Sequence, residues 1–72
     1  MGKAMTFGDW LRVSRQLNKL TTRQLAEKSN VSAATISRIE RNHGATLVNA
    51  EKLAQGFGLK LSEVFRTIEG TN

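Results

Sequence analysis

The side chains best suited to recognition lie on one face of a short helix predicted over residues 33–41. Helical spacing puts four positions outward, with a threonine and an arginine on the flanks: Ala33, Ala34, Ser37 and Arg38, flanked by Thr35 and Arg41. An ordinary solvated face would more often carry Glu and Lys throughout. A face that is slim at its start and cationic at its end favours close approach to an acidic, hydrogen-bonding surface such as a DNA groove.

The residues before this helix predict a second helix and a tight turn that position it. Apolar side chains recur at helical spacing on both sides of a break near Ser29, at Leu25, Ala26, Val31, Ile36 and Ile39. Asn30 tolerates the left-handed backbone that a tight turn needs. Ser32 is placed to accept a hydrogen bond from the first turn of the second helix. Residues 22–41 are therefore predicted to be two short helices joined by a turn.

Capping residues predict where the first two helices begin. Thr6 with Asp9, and Thr21 with Gln24, have the spacing of a capping box, in which side chain and backbone hydrogen-bond reciprocally. They predict a first helix over about residues 7–18 and a second that opens near residue 22.

Two further helices are predicted after the motif, and no strand. Thr46 and Ser62 are the expected N-caps, and Gly58 is the expected end of the fourth helix. The inward face of the fourth helix is expected to carry Leu47, Ala50, Leu53, Ala54 and Phe57. The chain is therefore predicted to be a single all-α domain over residues 1–72, with residues 70–72 frayed.

Composition narrows the classes of partner and of chemistry. Eleven Lys and Arg against six Asp and Glu give a net charge of +5, which favours nucleic acid as partner. The alternative is that the charge serves solubility alone. The chain has no cysteine, one histidine (His43) and no acid–base cluster, so we expect no enzyme activity, metal or cofactor. Without a membrane span of about 20 apolar residues or a signal peptide, a cytoplasmic protein is expected.

Residues 7–66 resemble the helix-turn-helix domain of the Cro/C1 (Xre) family of phage and bacterial regulators. The resemblance is carried by Arg15, by residues 20–26 (Leu-Thr-Thr-Arg-Gln-Leu-Ala) and by residues 31–41 (Val-Ser-Ala-Ala-Thr-Ile-Ser-Arg-Ile-Glu-Arg). Leu53-Ala54 and Phe57-Gly58-Leu59 extend it. Three positions depart: Thr22 stands where the family often has a Gln that contacts a phosphate and braces the recognition helix, and Asn30 and Asn42 replace glycines. The resemblance implies a five-helix, lambda-repressor-like all-α fold.

The resemblance also implies how the chain meets double-stranded DNA. The second helix of the motif would lie in the major groove, with base contacts from Ala33, Ala34, Ser37 and Arg38. Arg38 is favoured, because its planar fork matches O6 and N7 of guanine. The alternatives are a phosphate contact or a solvated charge for Arg38, and plain helix propensity for the alanines. Phosphate contacts are expected from Thr22, Arg23, Ser32, Thr35 and Arg41, and from the backbone around Asn42 and His43.

Two further sets of side chains are expected to have structural roles. The resemblance sets Arg15 opposite Glu40, which predicts a partly buried ion pair that fixes the recognition helix. The aromatic residues lie on apolar faces without interleaved basic residues, which favours core positions over stacking platforms for nucleotide bases. These aromatics are Phe7, Trp10, Phe57 and Phe65.

The last helix raises the question of oligomeric state. Val64, Phe65 and Ile68 exceed what a small core near the C-terminus needs, and many relatives pair through this region. We therefore expect a homodimer interface here, the alternative being that these residues complete the monomer core.

Together these observations predict a transcriptional regulator, in first place a repressor, that binds a palindromic operator as a homodimer. The alternative is an antitoxin or protein-interaction module whose main partner is another protein, such as a toxin. Contact with RNA polymerase through an exposed acid, Glu27 or Glu40, is a further expectation.

Overall fold

The computed structural model describes residues 5–70 and contains five α-helices. They are α1 (Phe7–Leu17), α2 (Thr22–Ser29), α3 (Ala33–Glu40), α4 (Leu47–Gly56) and α5 (Leu61–Glu69). Helix α3 packs against α1 and α2, α2 also packs against α4, and α5 lies against α4 and α1. No strand occurs within the described residues, so the expected all-α fold is confirmed.

Each helix contributes one fully buried large side chain to a common core: Leu11, Leu25, Ile36, Leu53 and Val64. Trp10 extends this core between two other aromatic rings. Its ring centroid lies 5.4 Å from that of Phe7 and 5.5 Å from that of Phe57, the latter edge to face. The expected core position is wrong for Phe65, which is 45% exposed.

The predicted N-cap residues are confirmed for the first four helices. Thr6 and Thr21 form complete capping boxes, and Ser32 and Thr46 accept hydrogen bonds from the backbone of Thr35 and Asn49. The helix ends agree with the predicted ends to within one residue for α1 and α3.

The expected Ser62 cap of α5 is wrong. The helix begins at Leu61, which is half-buried against the core, and Lys60 is its N-cap residue. The Lys60 side chain has no acceptor atom, but Glu63 Oε1 accepts the Lys60 backbone N–H at 2.8 Å. Glu63 therefore caps the start of this helix, and Ser62 lies inside its first turn. At the other end Gly70 N–H donates to the Arg66 carbonyl at 3.0 Å, whereas residues 71 and 72 of the predicted frayed tail lie outside the described residues.

Three helices end in the same way: the backbone N–H groups of a residue in the left-handed region and of the residue after it donate to carbonyls of the last turn. Those residues are Lys19 (φ 56°) after α1, Asn42 (φ 66°) after α3 and Gly58 (φ 76°) after α4. The expectations for Asn42 and Gly58 are confirmed. Lys19 was not foreseen, because lysine carries no preference for positive φ.

The expected inward position on α4 is wrong for one residue. Leu47 is 65% exposed, whereas Ala50, Leu53 and Ala54 are buried. Leu47 is the first residue of the helix, directly after the Thr46 cap. The residues of α4 that are buried lie further along the helix.

Candidate nucleic-acid interface

The turn between α2 and α3 is held by a buried hydroxyl as well as by its backbone. Ser29 Oγ donates to the Leu25 carbonyl at 2.8 Å and accepts the Val31 N–H at 3.3 Å. Between them Asn30 adopts φ 63°, the left-handed conformation expected from its residue type. Val31 is buried immediately afterwards, which anchors the start of α3 to the core.

Helix α3 turns a polar, slender face outward, as its sequence predicts. Ala34 and Arg38 are exposed and stand one turn apart, while Ala33 and Ser37 are half-buried beside them. The opposite face carries the buried Ile36 and Ile39, together with Glu40. The four side chains expected at base edges therefore share one side of the helix.

The start of α3 carries two linked hydroxyl groups. Ser32 Oγ accepts the Thr35 N–H at 3.2 Å and donates to Thr35 Oγ1 at 2.8 Å. Because Thr35 receives a hydrogen at its oxygen, its own hydroxyl hydrogen remains to be donated elsewhere. The pair thus caps the helix and still offers a donor, which suits a phosphate oxygen.

The helix is fixed to α1 by the expected ion pair. Arg15 Nε donates to Glu40 Oε2 at 2.7 Å and Arg15 Nη2 to Glu40 Oε1 at 3.0 Å, a bidentate arrangement. Arg15 Nη1 also donates to the Leu20 carbonyl at 2.8 Å. The side chains are only 16% and 9% exposed, so this pair is largely screened from water and salt.

The hydrogen bond to Glu40 raises the pKa of Arg15 above its ordinary value, against the smaller opposing effect of partial burial. A raised pKa means that this contribution to stability is fully present below the ordinary pKa of arginine. It is lost only when the pH rises through the still higher folded-state pKa. Arg15 therefore keeps its charge, and with it its part of the clamp on α3, throughout the physiological range of pH.

Burial of Glu40 corrects one expected contact. Glu40 is 9% exposed and both its oxygens accept from Arg15, so it is not the exposed acid that was expected to meet RNA polymerase. Glu27 on α2 is exposed.

The other residues expected to contact phosphates are mostly exposed. Arg23, Arg41 and His43 are exposed, and Thr22 is half-buried at the first position of α2. Among the described residues the Thr22 hydroxyl makes no hydrogen bond to α3, so it does not brace that helix. Arg15, through Glu40, supplies the bracing instead.

The loop after α3 is tied back to the start of α1. Asn42 N–H donates to the Ile39 carbonyl at 2.9 Å, and His43 N–H to the Arg38 carbonyl at 3.2 Å. The Asn42 side chain accepts a hydrogen bond from the Thr6 hydroxyl at 2.7 Å. Sequence reasoning assigned Thr6 only a capping role, because a contact between residues 36 positions apart leaves no local pattern.

The expected dimer interface is altered by burial. Val64 is fully buried within the monomer, because its side of α5 packs against the rest of the core, and so it is unavailable to a partner chain. Phe65 is exposed and Ile68 is half-buried, which leaves these two as the surface part of the expected interface.

Residues 5–70 contain no group of three or more His, Asp or Glu side chains placed to hold a metal ion. In the same range, no helix combines the length and apolar character that crossing a bilayer requires.

Comparison with known proteins finds the same motif elsewhere. A family model described as Helix-turn-helix matches residues 11–64. The chain is 36% identical over 61 residues to an immunity repressor protein of Bacillus phage phi105, covering 83% of this chain and 42% of that protein. It is 60% identical over 35 residues to the HTH-type transcriptional repressor RghR of Bacillus subtilis, covering 49% and 26%. The chain thus spans less than half the length of these curated relatives, and no solved structure matches it.

Proposed function

Because this chain belongs to the helix-turn-helix family of Cro/C1 type, we propose that it is a sequence-specific regulator of transcription that binds double-stranded DNA, with α3 in the major groove. Family membership sets it among DNA-binding regulators rather than among enzymes. The observation that carries the proposal is the outward face of α3, where Ala34 and Arg38 are exposed on a helix that Arg15 holds through Glu40. Repression is the favoured outcome, since both relatives are named repressors.

The proposed division of labour follows from side-chain chemistry. Arg38 reads guanine through its fork, Ser37 adds a hydroxyl, and the methyl groups of Ala33 and Ala34 allow close approach or contact with thymine methyl groups. The polar and basic residues expected around this face hold the phosphates: Thr22, Arg23, Ser32, Thr35, Arg41, Asn42 and His43.

Selection of bound sequences from a random duplex pool tests the proposal directly. We expect enrichment of a palindrome, because a symmetric dimer reads two equivalent half-sites about 34–36 Å apart. If about 6–10 phosphates are neutralised, affinity should fall about 10³–10⁵-fold between about 50 and 200 mM salt. Absence of enrichment, with no salt dependence, would instead support a protein-interaction module such as an antitoxin.

We further propose that Phe65 and Ile68 on α5 contribute to a homodimer interface. Phe65 leaves 45% of its surface exposed, and the half-buried Ile68 follows it by three residues, so the two apolar side chains lie on neighbouring positions of one helix face. Phe65→Ser should shift the parent from dimer to monomer in sedimentation equilibrium at tens of micromolar. Leu17→Ser is the matched control, because it removes an apolar side chain that is 77% exposed on α1. A parent that sediments as a monomer would contradict this proposal.

A further inference from the structure

The first turn of α1 and the loop after α3 meet in a small junction outside the helix-turn-helix motif. Thr6 Oγ1 accepts the Asp9 N–H at 3.0 Å and donates its own hydrogen to Asn42 Oδ1 at 2.7 Å. Gly8 leaves room for this contact, since a Cβ there would stand 2.8 Å from the same Oδ1 and would collide with the Ile39 carbonyl oxygen. The oxygen of the Asn42 amide is therefore seated against the start of α1.

This contact decides which edge of the amide is left for a partner. An asparagine amide has an oxygen that accepts and an NH2 group that donates two hydrogens. Because the Thr6 hydroxyl occupies the oxygen, the NH2 group lies at the other edge of the planar amide of an exposed residue. The Asn42 backbone is fixed as well, with φ 66° and its N–H on the Ile39 carbonyl.

The location of Asn42 supports a role in binding an acidic partner. It follows the exposed Arg41 and precedes His43, directly after the helix proposed to lie in the major groove. A donor held rigidly at this point makes a hydrogen bond at little cost in side-chain entropy.

We propose that Thr6 is a positioning residue for DNA binding, which orients the Asn42 amide so that its Nδ2 donates to a phosphate oxygen. The inference rests on the proposed function and adds to it the N-cap residue of α1, which touches no DNA itself. A neutral amide displaces no counterion, so loss of this contact lowers affinity without changing the slope of affinity against salt.

A double-mutant cycle separates positioning from helix capping. Binding to a mixed-sequence duplex is measured by fluorescence anisotropy across a salt series, for the parent, Thr6→Val, Asn42→Gly and the double variant. Glycine adopts positive φ freely, so Asn42→Gly keeps the loop. We expect Asn42→Gly to bind about tenfold and Thr6→Val about fivefold more weakly than the parent, with unchanged salt slopes. Adding Thr6→Val to Asn42→Gly should have no further effect.

The same series contains its controls. Thr6→Val removes the capping bond to Asp9 both in the parent and in Asn42→Gly. Loss of the cap therefore cannot make the effect of Thr6→Val differ between these two proteins. Thr6→Ser keeps the hydroxyl and should bind as the parent does. Equal losses from Thr6→Val on both backgrounds, or parent-like binding by Asn42→Gly, would overturn the inference. A parent that binds no duplex would instead refute the proposed function.

A second measurement decides the inference even if Thr6→Val fails to fold. In the parent, the two Nδ2 hydrogens of Asn42 give separate NMR signals, which should shift when duplex is added and become protected from exchange. Signals that stay unchanged at saturating duplex would overturn the proposal.

Discussion

Arg15→Ala should lower the free energy of unfolding by about 3–5 kcal/mol, because it leaves the Glu40 carboxylate buried without its partner. Glu40 is 9% exposed, so water cannot replace the two hydrogen bonds that it would lose. The Leu20 carbonyl loses a donor as well. A domain of this size holds only about 3–5 kcal/mol of stability from its core, so the variant should be largely unfolded at 25 °C.

Urea and thermal melts followed by circular dichroism measure this effect. The matched control is Arg12→Ala on the same helix, since Arg12 and Asp9 form a longer, more exposed pair at 3.7 Å. That variant should lose less than about 1 kcal/mol. Replacing both partners of the buried pair with apolar residues, as in Arg15→Met with Glu40→Leu, should recover most of the lost stability. An Arg15→Ala variant that melts like the parent would show that the pair does not fix α3.

Arg38→Ala should cost about 1–3 kcal/mol in binding to the selected operator, about 5–150-fold, and should relax the preference at one base pair of each half-site. Arg38 is exposed and stands on the outward face of α3, and no carboxylate among the described residues hydrogen-bonds to it. Its removal therefore affects the bound state and leaves folding unchanged. Arg38→Lys should restore charge but not the two-pronged guanine contact.

Arg23→Ala is the control for Arg38→Ala, because it removes the same charge from α2, where a phosphate contact is proposed. It should weaken binding to all sequences alike and reduce the salt slope by about one. Repeating the duplex selection with both variants distinguishes the two roles. If Arg38→Ala retains guanine at every position of the half-site, Arg38 contacts phosphate or solvent and not a base.

Local signals in the sequence sufficed for most of the secondary structure. Hydroxyl side chains before apolar runs marked the starts of four helices, and Asn30, Asn42 and Gly58 marked backbone turns. Each of these signals acts over three or four residues, within the range of one helical turn. The Ser62 cap was wrong because the Glu63 side chain caps the backbone N–H of Lys60, which starts the helix before Ser62.

Side-chain exposure was less predictable than helix position. Apolar periodicity indicates which residues share a face but not how much of that face is covered. Leu47 and Phe65 illustrate this, since both were expected to be buried and are exposed. Val64 shows the reverse, since it was expected at a dimer interface and is buried in the core of the monomer.

By itself the sequence determined the five helices, the helix-turn-helix at residues 22–41 and, through family resemblance, the pairing of Arg15 with Glu40. Only the tertiary structure decided which apolar residues remain exposed and that Thr6 holds the Asn42 amide. The physical reason is distance along the chain. Caps and turns depend on neighbours within a few residues, whereas burial and the contact between α1 and the loop after α3 exist only once the helices have packed.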